Sequence, residues 1–163
     1  MRVRPRVPWT ASVLTFTLLV WSVTALGGGL GLVGRPDGQA IGFPLSYLSG
    51  TPFPDFLIPG AVLLTQGVAS AVLTALVWRD SHRPPTPHPG HWPFAVTVTA
   101  AQVLWIGAEV LLLKDNVSRL PSDQANFFYA FWWGFGLLAL LNLALVLTPH
   151  MQRVLAAQPQ ATP

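Results

Sequence analysis

The sequence predicts an all-α fold: a polytopic membrane protein forming an antiparallel four-helix transmembrane bundle with an extracytoplasmic cap loop. Three observations carry that expectation. Of the 163 residues, 9% are charged and 52% hydrophobic, against roughly 25% charged in an average soluble domain. The apolar residues gather into four runs, at about 9–33, 56–78, 93–113 and 127–147, each matching the ~20 residues that cross a hydrocarbon core. Most of the 16 prolines fall between those runs, where a chain leaving a helix must turn. Residues 1–148 are expected to be one transmembrane domain, and 149–163 a disordered cytoplasmic tail.

With no cysteine in the chain, disulfides, thiolate metal sites and cysteine nucleophiles are excluded. The net charge is only +3. Its basic residues flank apolar runs instead of lining one face, which makes them topology signals and argues against nucleic acid as a partner.

Arg2, Arg4 and Arg6 precede the first run, Trp9 to about Val33. Val23-Thr24-Ala25 could pass as a signal-peptide cleavage site. The run, however, continues to Val33 with Gly27 and Gly31 at helix-packing spacing, which favours a retained helix. In the first connection, Arg35-Pro36-Asp37-Gly38 reads as a turn. Phe43 to Leu48 is too short to span and suits the interface, Tyr47 especially. The second span has two candidate caps, Thr51 and Asp55. With Thr51, Pro59 would kink the helix; with Asp55, it sits harmlessly in the first turn.

The second connection, Arg79 to His91, carries His82, His88 and His91 with Asp80 as the only nearby carboxylate. Proline-rich and solvated, it is not expected to hold a metal. Lys114-Asp115-Asn116 closes the third span, and Ser122 with Asp123 can cap the fourth. That span opens on Phe127, Phe128, Tyr129, Phe131, Trp132 and Trp133, read as an aromatic belt at one membrane face. The N-terminus, second connection and tail carry six basic residues (Arg2, Arg4, Arg6, Arg79, Arg83, Arg153) against three elsewhere (Arg35, Lys114, Arg119). The excess places both termini in the cytoplasm of a cell-membrane protein, with the bilayer as its partner.

The segment RPDGQAIGFPLSYLSGTPFPDFLIPG, residues 35–60, resembles a loop of small, uncharacterised four-helix bacterial integral membrane proteins, in which a GTPFPDFLIPG-like stretch leads into the second helix. Trp105-Ile106-Gly107-Ala108-Glu109 is similar to their third helix, more weakly. The resemblance implies architecture and no catalytic residues.

Four polar side chains fall inside the spans: Gln66, Gln102, Glu109 and Asn142. Thr99, Gln102, Trp105 and Glu109 form one helical stripe, and Gln66, Ser70 and Thr74 a looser one. Gln66 and Gln102 each lie about 15 Å from a helix start and are expected to meet at the midplane. Glu109 is expected to face inward beneath the Gly42–Asp55 cap, bonded to the first turn of span two, Leu57 to Gly60, or to Tyr129. The candidate polar groove thus comprises Glu109, Gln102, Gln66, Asp55, Tyr129 and Trp105. No histidine pairs with Glu109, and no phosphate-binding loop appears in a strand–helix setting, so no catalytic residue, cofactor or metal is expected.

Two functions follow. One is a non-enzymatic membrane component acting by packing, with a homo-oligomer or membrane protein partner. The other is a small-molecule or ion permease, or a lipid-binding protein, using the groove around Glu109. A cavity continuous with Glu109 discriminates for the second. The topology has its own test: single cysteines at Asp37 and Thr86, probed with an impermeant maleimide, should label only at Asp37. Labelling of Thr86 alone would invert the orientation.

Overall fold

A computed structural model describes residues 9–82 and 90–156. Arg2, Arg4, Arg6, Arg83, His88 and the tail beyond 156 lie outside the described residues. The chain forms helices α1 (Trp9–Gly34), α2 (Leu57–His82), α3 (Trp92–Val117), α4 (Ser122–Val146) and α5 (Pro149–Leu155), with short 3₁₀ turns at Gln39–Ile41 and Leu45–Leu48. Among the described residues there is no strand. The first four helices are long and apolar enough to cross a membrane. Their flanks are apolar as well: Leu104, Leu111 and Trp133 are each more than 70% exposed, the kind of surface that a hydrocarbon surrounding favours. The architecture is a four-helix membrane bundle.

Inside lipid, hydroxyls must be satisfied within the helix itself. Thr15, Thr24, Thr65, Thr74, Thr97 and Thr99 each donate to the carbonyl four residues back, at 2.7–3.0 Å. These six threonines can therefore sit in hydrocarbon with their donors satisfied, whereas the buried Thr10 hydroxyl at the start of α1 has no hydrogen-bond partner.

The helices pair as two hairpins, α1 with α2 and α3 with α4. The first pair is the closer, and glycine is the reason. A Cβ on Gly29 would lie 2.6 Å from the Leu64 backbone nitrogen, one on Gly67 2.8 Å from that of Leu26, and one on Gly60 2.6 Å from Leu32 Cβ. The seam therefore runs along Gly29, not along the expected Gly27 and Gly31. Gly27 has nothing within 4 Å, and Gly31 faces Ile41 in the cap. Two residues on a helix turn through about 200°, so Gly27 and Gly29 point to opposite sides. Near the middle of the seam, the Ser22 hydroxyl donates to the Gly67 carbonyl at 2.9 Å.

The first connection folds over one end of the bundle. The Arg35–Gly38 turn closes with Gly38 N–H donating to the Arg35 carbonyl at 2.9 Å. Gly38 has φ of 78°, and a Cβ there would collide with the Phe43 carbonyl oxygen. Asp55 is the cap of α2, its Oδ1 accepting from Leu57 N–H at 2.9 Å. Pro59 accordingly lies in the first turn, and Thr51 serves the preceding loop by donating to the Leu48 carbonyl. Asn116 pins the cap to α3, donating to the carbonyls of Tyr47 and Ser49 at 2.9 and 2.7 Å. Tyr47 pins it to α4 through Gln124 at 3.0 Å.

The opposite end is closed by α5. Residues 149–155, expected to be part of a disordered tail, are helical. Thr148 accepts from Met151 N–H at 3.3 Å, and Pro149 occupies the first position, where no donor is missed. Met151 and Leu155 are fully buried against Leu14, Leu73, Val77 and Val146, and that apolar face is what orders the segment. Alongside, Asp80 at the end of α2 takes Arg79 at 2.9 Å and His91 at 2.8 Å, joining α2 to the start of α3.

A substitution pair tests the seam. Gly29→Leu is expected to lower the melting temperature in detergent, by about 4–8 °C for a loss of about 2 kcal/mol. Gly27→Leu should leave it within a degree or two.

Candidate functional site

The polar residues of the spans divide into two sets at different depths. At the centre, one side chain from each spanning helix joins a hydrogen-bonded chain. Thr17 on α1 donates to Asn142 Oδ1 at 2.6 Å, and Asn142 Nδ2 donates to Gln102 Oε1 at 3.0 Å. Gln102 Nε2 then donates to Ser70 Oγ on α2 at 3.0 Å. Ser70, Gln102 and Asn142 are fully buried. Such contacts are worth about 0.6 kcal/mol each within a membrane. Their larger effect is to fix helix rotation, because an amide turned into lipid would be left unpaired.

The expected Gln66–Gln102 contact is replaced by this chain. Gln102 meets Ser70, one turn further along α2. The Gln66 Oε1 is enclosed and has no hydrogen-bond partner. The equal-depth argument treated all helix pairs alike, whereas α2 is drawn to α1 by the glycine seam and approaches α3 less closely.

Between this central chain and the cap lies a cavity of about 330 Å³. All four spanning helices and the cap contribute to it. Its wall is overwhelmingly apolar and aromatic, including Trp21, Phe43, Phe56, Trp105, Phe128 and Trp132. Phe43 of the cap is the hub, with ring centroids 5.7 Å from Tyr47, 6.2 Å from Phe56 and 5.4 Å from Phe128. Thr24, Leu112 and Phe127 belong to the wall and are also exposed on the bundle's flank. Glu109 is the one ionisable carboxyl in the wall. The Trp105 indole lies beside it, one turn away on α3.

Of the candidate groove, only Glu109 and Trp105 face this space. Asp55 is engaged as the α2 cap. Tyr129 turns outward, 41% exposed, with its ring edge-on to Trp132. Among the described residues no ion pair involves Glu109, and neither the first turn of α2 nor Tyr129 hydrogen-bonds it. Asp55 holds that turn's Leu57 donor, and Pro59 has none to give. The groove is therefore an apolar chamber with a single carboxyl.

Sequence reasoning missed the chamber's aromatic wall. The opening of α4 was read as an interfacial belt, and Trp133 does lie on the surface. Phe128, Phe131, Trp132 and Phe135 turn inward instead. Their spacing of three and four was the available signal. Among the described residues, no cluster of three His, Asp or Glu could hold a metal. His82 stacks on Trp78 with centroids 3.8 Å apart, and His91 pairs with Asp80.

No protein family, curated protein or solved structure matches this chain.

A carboxyl with no ion-pair partner in an apolar wall costs folding energy. Glu109→Leu is therefore expected to raise stability in detergent melts, by about 1–3 kcal/mol, with Glu109→Gln between it and the parent. A parent more stable than both variants would mean that Glu109 has a structural partner.

Proposed function

We propose that this chain is a ligand-binding integral membrane protein that admits a small amphipathic molecule from the bilayer into the chamber beneath its cap. The observation that carries the reading is the chamber's continuity with Glu109. A cavity of this size, mostly apolar with one convergent polar group, has the form of a small-molecule site. A polar residue kept inside a membrane span at a cost to stability is a functional candidate by default. A protein acting through packing alone would gain from filling the space with side chains, since each void of methyl size or more costs about 1 kcal/mol. Wall residues exposed on the flank, Thr24, Leu112 and Phe127, fit a guest that partitions into lipid first and reaches the site laterally.

Binding, not turnover, is the activity proposed, with Glu109 setting the guest's orientation. The basic-residue asymmetry supports an orientation with both termini cytoplasmic and the cap outside. The chamber then belongs to the outer half of the membrane.

The test uses a neutral hydrophobic dye. Phenylnaphthylamine added to the protein in phosphatidylcholine nanodiscs should show a saturable component of energy transfer from tryptophan, absent in empty discs. Ala108 lines the chamber, and Ala108→Phe should weaken that component at least tenfold without loss of folding. Unchanged saturable binding in this variant would remove the chamber as the site.

A further inference from the structure

The chamber's chemistry specifies its guest more narrowly, and the step that follows rests on the ligand-binding reading above. We infer that the site is built for a hydrophobic cation: an amine or quaternary ammonium group carried on an apolar body. Glu109 supplies a carboxyl without a cationic partner among the described residues. Neither Lys, Arg nor His contributes to the wall. The cations of the described bundle lie elsewhere. Arg79 and His91 are committed to Asp80 beyond the central chain, where His82, His150 and Arg153 also lie; Arg35 is exposed in the first connection, and Lys114 and Arg119 lie at the cap end of α3 and just after it. The carboxyl is thus left for a guest to match.

The walls point the same way. Aromatic rings carry negative charge on their faces and attract a cation placed within about 6 Å, most strongly where water is excluded. Trp21 on α1, Trp105 on α3, Phe128 and Trp132 on α4 and Phe43 and Phe56 from the connection surround the same space as Glu109. Neutral apolar guests would use the rings but leave the carboxyl unmatched. Anionic guests would find no cation in the wall to pair with. A hydrophobic cation satisfies both features, and its apolar body suits the lateral route through lipid.

An isosteric pair of probes separates charge from shape. Phenyltrimethylammonium and tert-butylbenzene are close in size and differ by the ammonium charge. Each would be titrated against bound phenylnaphthylamine in phosphatidylcholine nanodiscs. Phenyltrimethylammonium should displace the dye at a free concentration at least tenfold lower than tert-butylbenzene. In Glu109→Gln, with dye binding retained as evidence of an intact chamber, that preference should vanish. Equal displacement by the two probes, or a cation preference that survives Glu109→Gln, would overturn the cation assignment and leave the ligand chamber standing. Absence of saturable dye binding to the parent protein would overturn both.

Discussion

Everything in the bundle's cap half depends on the side-chain chain at its centre. Hydrocarbon offers no water to an amide, so Gln102 and Asn142 must find partners within the protein. They find them through Ser70 and Thr17, one on each of the remaining helices. Once Gln102 points at the bundle axis, the rest of α3 has no rotational freedom. Seven residues are nearly two full turns, so Glu109 emerges on the same face about 10 Å nearer the cap. The chamber's carboxyl is thus aimed by amides that do not touch it.

Space for the chamber comes from unequal packing at the two ends. At the α5 end, aliphatic side chains such as Leu14, Leu18, Leu73 and Val146 interlock and are buried, with α5 fitted over them. Toward the cap, large rings from α4 and the first connection meet α1 across a wider gap. Flat rings at tilted and edge-on angles tile a wall well but fill a centre poorly. Phe43 with its neighbours and Trp21 with Phe135 show that geometry. The glycine seam adds to the asymmetry by holding α2 close to α1 along its length and away from α3.

Much of this was legible from residue types alone. Apolar run length and low charge give four spanning helices, and the turn at Arg35–Gly38 follows from local chemistry. The caps do not: Thr51 and Asp55 are equal candidates until Asp55 takes the Leu57 donor, and the expected Ser122–Asp123 cap lies inside the first turn of α4, which Pro121 precedes with no side-chain cap. What composition could not supply is azimuth. Gly27 and Gly29 are equally plausible packing glycines until one knows which side of α1 faces α2. Tyr129 and Phe128 are adjacent aromatics, yet one lies on the flank and the other in the chamber wall. Membrane spans blur this information because both of their faces are apolar, so the pattern that betrays a buried face in a soluble helix is weak. Helix α5 was hidden for a different reason: its seven residues, PHMQRVL, carry too few apolar positions to stand out until Met151 and Leu155 find a core.

The depth of the chamber has a consequence for the membrane itself. All of its walls lie on the cap side of the Thr17–Asn142–Gln102–Ser70 chain. On the far side the aliphatic core and α5 close the bundle. The chamber is therefore closed toward the α5 end by amides and packed aliphatic side chains. On the proposed ligand-binding reading, a molecule abundant in both leaflets would be sampled from one only.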